Sequence, residues 1–130
     1  MIGNLASGVQ AFTSNAFLVT GATTALVDTG SNFDVVARIR DHIDDIDRVY
    51  LTHTHPDHVG NVPAVRAAFG VETWGYDPEN DHVDNAIANG DTVRIGDHDY
   101  TAIHTPGHKP DHVCFHAPAA GTCFAGDLVF

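Results

Sequence analysis

An α/β domain is the fold class this chain predicts, and three observations carry the prediction. Strand-like and helix-like stretches alternate through the first 75 residues, consecutive strand-like stretches follow from residue 91, and ligand-type side chains recur where strands end. At 130 residues the chain is long enough for one domain with a real core. We find no linker, repeat or low-complexity tract, so residues 1–130 are expected to form a single domain.

Residues 14–20 and 24–28 are expected to be paired strands around Gly21, with Asp28-Thr29-Gly30 as the turn leaving the second. Asn32 is expected to cap a helix that carries Val36, Ile39 and Ile43 at helical spacing, and Val49, Tyr50 and Leu51 form the next strand. Asn61 caps a second helix, with Pro63 tolerated in its first turn and Gly70 ending it. Residues 71–75 read as a short strand, 91–95 and 98–104 as a hairpin around Gly96-Asp97, and 112–117 with 121–125 as another around Gly121.

The strand at 49–51 runs into Thr52-His53-Thr54-His55-Pro56-Asp57-His58, which places three imidazoles and one carboxylate within six positions. This is the signature of a metal site. Two histidines at i and i+2 project to one side of an extended segment, so His53 and His55 can share an ion, whereas Asp57 and His58 after the Pro56 bend point elsewhere and can serve a second. A single H-x-H pair would mean little in a chain with ten histidines. Two further segments, Thr105-Pro106-Gly107-His108 and Phe124-Ala125-Gly126-Asp127, each follow a predicted strand and add weight. His42, His82 and His98 read as solvated side chains, and His104, His112 and His116 lie nearer the site.

Taken together, Val27-Asp28-Thr29-Gly30, the H-x-H-x-D-H set, T-P-G-H ending at His108 and G-D ending at Asp127 resemble, in that order, the metallo-β-lactamase-fold hydrolases of the glyoxalase II-like branch. The resemblance implies a four-layer αββα sandwich, of which this chain represents the first half and the start of the second. It also implies that His53, His55 and His108 bind one metal, that Asp57 and His58 bind another, and that Asp127 bridges both. His112 competes with His108, but Gly107 frees the backbone to turn inward at His108 and the family position matches.

Two departures stand out. The family often continues T-P-G-H with Thr-x-Gly-His, where this chain has Lys109-Pro110-Asp111-His112. The family also supplies a last histidine to the second metal from beyond the G-D motif, and the chain ends at Phe130. The apolar run Leu128-Val129-Phe130 is accordingly read as an interrupted strand, whereas Met1 reads as a native start.

Histidine and carboxylate ligands without cysteine favour a catalytic centre over a closed structural one. Two divalent cations, Zn2+ by preference with Fe or Mn as alternatives, would sit about 3.5–4 Å apart and share a water activated to hydroxide for attack on a thioester or ester. Asp57 would orient that nucleophile besides ligating, which makes it the catalytic side chain. Asp28 is read either as the carboxylate that fixes a ligand histidine's tautomer or as a turn residue. Alternatives in other classes are an iron-dependent persulfide dioxygenase using His53, His108 and Asp127, and an inactive metal-binding half-domain.

The net charge of −11 comes mostly from aspartate, with Glu72 and Glu79 the only glutamates and Lys109 the only lysine. Such a surface predicts a protein suited to high salt, where self-repulsion is screened, and argues against nucleic acid as a partner. Cys114 and Cys123 form no C-x-x-C unit and are expected to be small buried hydrophobes. With no basic stretch followed by a long apolar run, and no span long enough for a membrane, a cytoplasmic enzyme acting on a small molecule is expected.

Overall fold

A computed structural model describes residues 2–10, 13–105 and 111–125. The first sheet contains β1 (Ile2–Asn4), β2 (Phe17–Val19), β3 (Ala25–Val27), β4 (Arg48–Tyr50), β5 (Thr73–Gly75) and β6 (Asn85–Ala86), in that spatial order. β1, β2 and β3 pair antiparallel, whereas β3 through β6 pair parallel. Between the parallel strands run α1 (Val35–Arg40), the one-turn α2 (Pro56–Val59) and α3 (Val62–Phe69). The second sheet is antiparallel, in the order β10-β9-β8-β7, from β7 (Thr92–Ile95), β8 (His98–His104), β9 (Val113–Ala117) and β10 (Thr122–Phe124).

The side-chain period of two divides the central strands between two cores. On β3 and β4, Leu26 and Val49 face the helices and pack with Val35, Ile39, Val62 and Val65, while Ala25, Val27 and Tyr50 face the second sheet and pack with Val93, Ile95, Tyr100 and Phe115. Helices, first sheet and second sheet therefore form three layers among the described residues. Strands buried on both faces read as continuous apolar runs, which is why Ala25–Val27 and Val49–Leu51 show no polar alternation. Tyr50 spans the inter-sheet core, its ring 5.6 Å from that of Phe115 and its hydroxyl donating to the Arg94 carbonyl at 3.0 Å. Burial raises this phenol's pKa above its ordinary value, opposed by the neighbouring Arg48 guanidinium.

The expected elements appear with local corrections. Asn32 does not cap α1, because its φ of 62° lies in the left-handed region, outside the helix. Asp34 caps instead, its carboxylate accepting from Ala37 N at 3.1 Å. The helix ends at Arg40, so Ile43 packs on the core from beyond it and His42 lies in a turn rather than on a helix face. Asn61 stands at the N-cap of α3 but makes no side-chain cap bond; its amide donates to the Thr29 carbonyl. Gly70 closes that helix at φ 62° as expected. β1, β6 and α2 carry no signal strong enough to be read from sequence, being two to four residues long.

Candidate metal centre

Parallel pairing of β3 with β4 brings the ends of both strands together, and the centre is built there. Asp28 leaves β3 at φ 58° and is buried, and its N–H donates to the Tyr50 carbonyl at 2.8 Å. Its Oδ1 accepts from Thr52 N at 2.9 Å. Its Oδ2 accepts from the Thr52 hydroxyl at 2.7 Å and from His58 Nδ1 at 2.8 Å. Asp28 is therefore both the turn residue and the carboxylate orienter, two readings the sequence leaves open.

The hydrogen-bond network assigns the tautomers. A carboxylate only accepts, so His58 carries a proton on Nδ1, and in the neutral ring its lone pair lies on Nε2. Thr52 has given its one hydroxyl proton to Asp28, so at 3.2 Å it accepts from His53 Nδ1, leaving that lone pair on Nε2 as well. One buried carboxylate thus orients two imidazoles, one directly and one through a hydroxyl. A ring nitrogen fixed by a carboxylate or hydroxyl, with the other nitrogen kept basic, is how proteins prepare histidine for a metal.

Around His53 the rings of His58, His55 and His112 have centroids 4.0, 4.7 and 5.0 Å away. His53 and His55 do share a side, as the i, i+2 spacing predicts. Pro56 starts α2 at its first position, and that single turn leaves the His58 ring centroid 4.0 Å from that of His53, so the two imidazoles stay neighbours across the Pro56 bend. Asp57 Oδ2 lies 3.6 Å from His58 Nε2. The turn is held from outside, since Ser14 N donates to the Asp57 carbonyl and Thr29 N to the His58 carbonyl, each at 3.0 Å. Among the described residues no three His, Cys, Asp or Glu side chains converge closely enough to enclose one ion. His108 and Asp127, the other two expected ligands, lie outside the described residues.

Several contributors were not legible beforehand. Thr52 and Thr54 alternate with His53 and His55, a pattern visible in the sequence but silent about which partner each hydroxyl meets. Thr54 donates to Asp111 at 2.6 Å, and Thr105 Oγ1 lies 2.7 Å from His112 Nδ1. His104 stacks on Tyr76 at 3.8 Å, and His116 sits opposite Thr101 and Cys123 on β9. Of the cysteines, Cys114 is buried as expected, and its burial raises the thiol pKa; Cys123 is exposed, and partial desolvation of its sulfur with the neighbouring Cys114 raises its pKa too. A cleft of about 490 Å³ opens beside the centre, and its lining includes Asp28, Thr52, Asp57 and His58 together with the apolar Ile2, Phe17 and Phe124.

A family model described as the metallo-beta-lactamase superfamily matches residues 9–130. The chain belongs to that superfamily. A hydroxyacylglutathione hydrolase of Cereibacter sphaeroides is 38% identical over 118 residues, covering 86% of this chain and 46% of that protein. The thioesterase pkgB of Emericella nidulans is 38% identical over 122 residues, covering 89% of this chain and 36% of that protein. The chain thus spans less than half the length of these curated relatives.

Two solved structures show the fold. The BLEG-1 B3 metallo-beta-lactamase superposes with a TM-score of 0.80 at 23% identity, over 100% of this chain and 73% of that one. The rubredoxin oxygen:oxidoreductase of Desulfovibrio gigas superposes at 0.73 and 22% identity, over 85% of this chain and 32% of that one. Because a lactamase and an oxidoreductase share the fold, fold alone does not select the reaction. The superfamily binds divalent metals, and the donor set here fits them: His53 and His58 are buried, their Nδ1 atoms are engaged by Thr52 and Asp28 respectively, and the carboxylates of Asp28 and Asp57 flank His58.

Proposed function

We propose that this chain is a metal-dependent hydrolase of small-molecule thioesters or esters, akin to hydroxyacylglutathione hydrolase. The observation that carries the reading is the Asp28-oriented pair of buried histidines, His53 and His58, with Asp57 beside His58 and both of these in the lining of a cleft. The names of the curated relatives support the thioester class.

His53, His55 and His108 would hold one divalent ion and Asp57, His58 and Asp127 a second, with zinc suiting imidazole and carboxylate donors and iron or manganese compatible with them. Bound ions supply Lewis acidity toward the substrate carbonyl and lower the pKa of water. Asp57 accepts a hydrogen bond from the attacking water and orients its lone pair. Asp28 and Thr52 keep the histidine tautomers from changing during turnover. The apolar side chains in the cleft lining, Ile2, Phe17 and Phe124, would help exclude water from the substrate.

An acidic surface, charge −11, disfavours nucleic acid as partner. No helix among the described residues is long and apolar enough to cross a membrane. We place the protein in the cytoplasm, a reducing compartment that suits Cys114 and Cys123 as thiols.

Zinc titration by calorimetry in high salt tests the reading. His53→Ala and His108→Ala should each abolish the tighter site, while His112→Ala should leave it. Unchanged zinc affinity in His53→Ala would overturn the proposal. One redox-active iron per chain with oxygen uptake would replace hydrolysis by dioxygenase chemistry.

A further inference from the structure

Thr54 lies between His53 and His55, and its hydroxyl donates to Asp111 Oδ2 at 2.6 Å across 57 residues of chain. Asp111 is only 5% exposed. A hydroxyl-to-carboxylate bond of this length is at the strong end of its class, and a buried carboxylate costs stability unless bonds of this kind offset its lost hydration. Backbone contacts join the same two stretches: Val113 N–H donates to the Thr52 carbonyl at 2.7 Å, and Thr105 N–H to the His112 carbonyl at 2.8 Å. The second of these closes the neck of the 105–112 connection, and the first seats that neck on the histidine loop.

We propose that Asp111 is a positioning residue whose bond to Thr54 latches the neck of the 105–112 connection to the loop bearing His53 and His55. The latch fixes the separation between the loop bearing His53 and His55 and the stretch that begins at Asp111. Neither side chain need touch an ion. In its consequence for metal the proposal rests on the hydrolase reading, but the latch itself is a property of the metal-free chain.

The test uses the full chain with Thr54→Val and Asp111→Ala to remove the bond, and Thr54→Ser and Asp111→Asn to keep a donor and an acceptor. Two readouts are taken: zinc affinity by competition with a chromophoric chelator, and hydrogen exchange at the Val113 amide without metal. Removing either partner should weaken zinc about 10–100-fold, the range for partners that orient ligands, and should speed Val113 exchange. The Ser and Asn variants should remain near wild type on both readouts, showing that fold and latch survive. The double variant Thr54→Val/Asp111→Ala should be no worse than either single one, since both remove the same bond. Losses that multiply in the double variant, or Val113 exchange unchanged in both single variants, would overturn the latch. If wild-type chain binds no zinc yet Val113 exchange responds as expected, the latch stands and the metal reading fails.

Discussion

Asp28 concentrates three hydrogen bonds on one buried carboxylate at a φ of 58°, a conformation that aspartate tolerates better than most side chains. Replacing it with asparagine keeps size but leaves one acceptor oxygen where three donors converge. Asp28→Asn should destabilise the metal-free chain by about 1–3 kcal/mol, the cost of a buried donor left without its partner. Zinc affinity should fall about 10–100-fold as His58 loses its fixed tautomer. Denaturant melts and zinc competition measure the two effects separately, and wild-type zinc affinity in Asp28→Asn would remove the orienting role. At this scale the sequence exposes which residue types gather: His53, His55, Asp57 and His58 announce themselves by spacing. Which ring nitrogen each presents depends on Asp28 and Thr52, and no spacing rule encodes that.

Two glycines separate crowding from conformation among the elements. Gly60 follows α2 with ordinary helical angles, φ −55° and ψ −33°, but a Cβ there would collide with Ser31 Cβ and come within 3.0 Å of the Pro56 carbonyl oxygen. Gly70 ends α3 at φ 62° with open space around the position of a Cβ. Gly70→Ala should therefore cost about 1 kcal/mol, the backbone penalty alone. Gly60→Ala should cost about 1–3 kcal/mol through overpacking and weaken zinc binding too, because α2 carries Asp57 and His58. Urea titrations and zinc affinity of both variants check this; equal zinc affinity in the two would show that α2 does not depend on its seat against Ser31. α3 was legible because Asn61, Pro63 and Gly70 punctuate it. α2 was not, since a single turn has no period to read and is held by backbone bonds from Ser14 and Thr29.

Across the whole molecule the surface charge of −11 repels itself, and we propose that the chain is adapted to high salt. Its thermal midpoint should rise from about 0.1 M salt, where the Debye length is near 10 Å, toward molar concentration. A calorimetric midpoint that falls over that range would remove the adaptation. Composition, the order of the elements other than β1, α2 and β6, and the histidine-rich motif were determined by sequence alone, because charge is a sum over residues and strands and helices follow local periodicity. The metallo-beta-lactamase superfamily was legible for the same reason: its motifs are short and contiguous. The closeness of His58 to His53, the placement of His112 at 5.0 Å and the Thr54–Asp111 bond were decided only by tertiary structure. The first runs through a turn held by backbone bonds from Ser14 and Thr29, and the other two join residues across strands, so none of them follows from local preference alone.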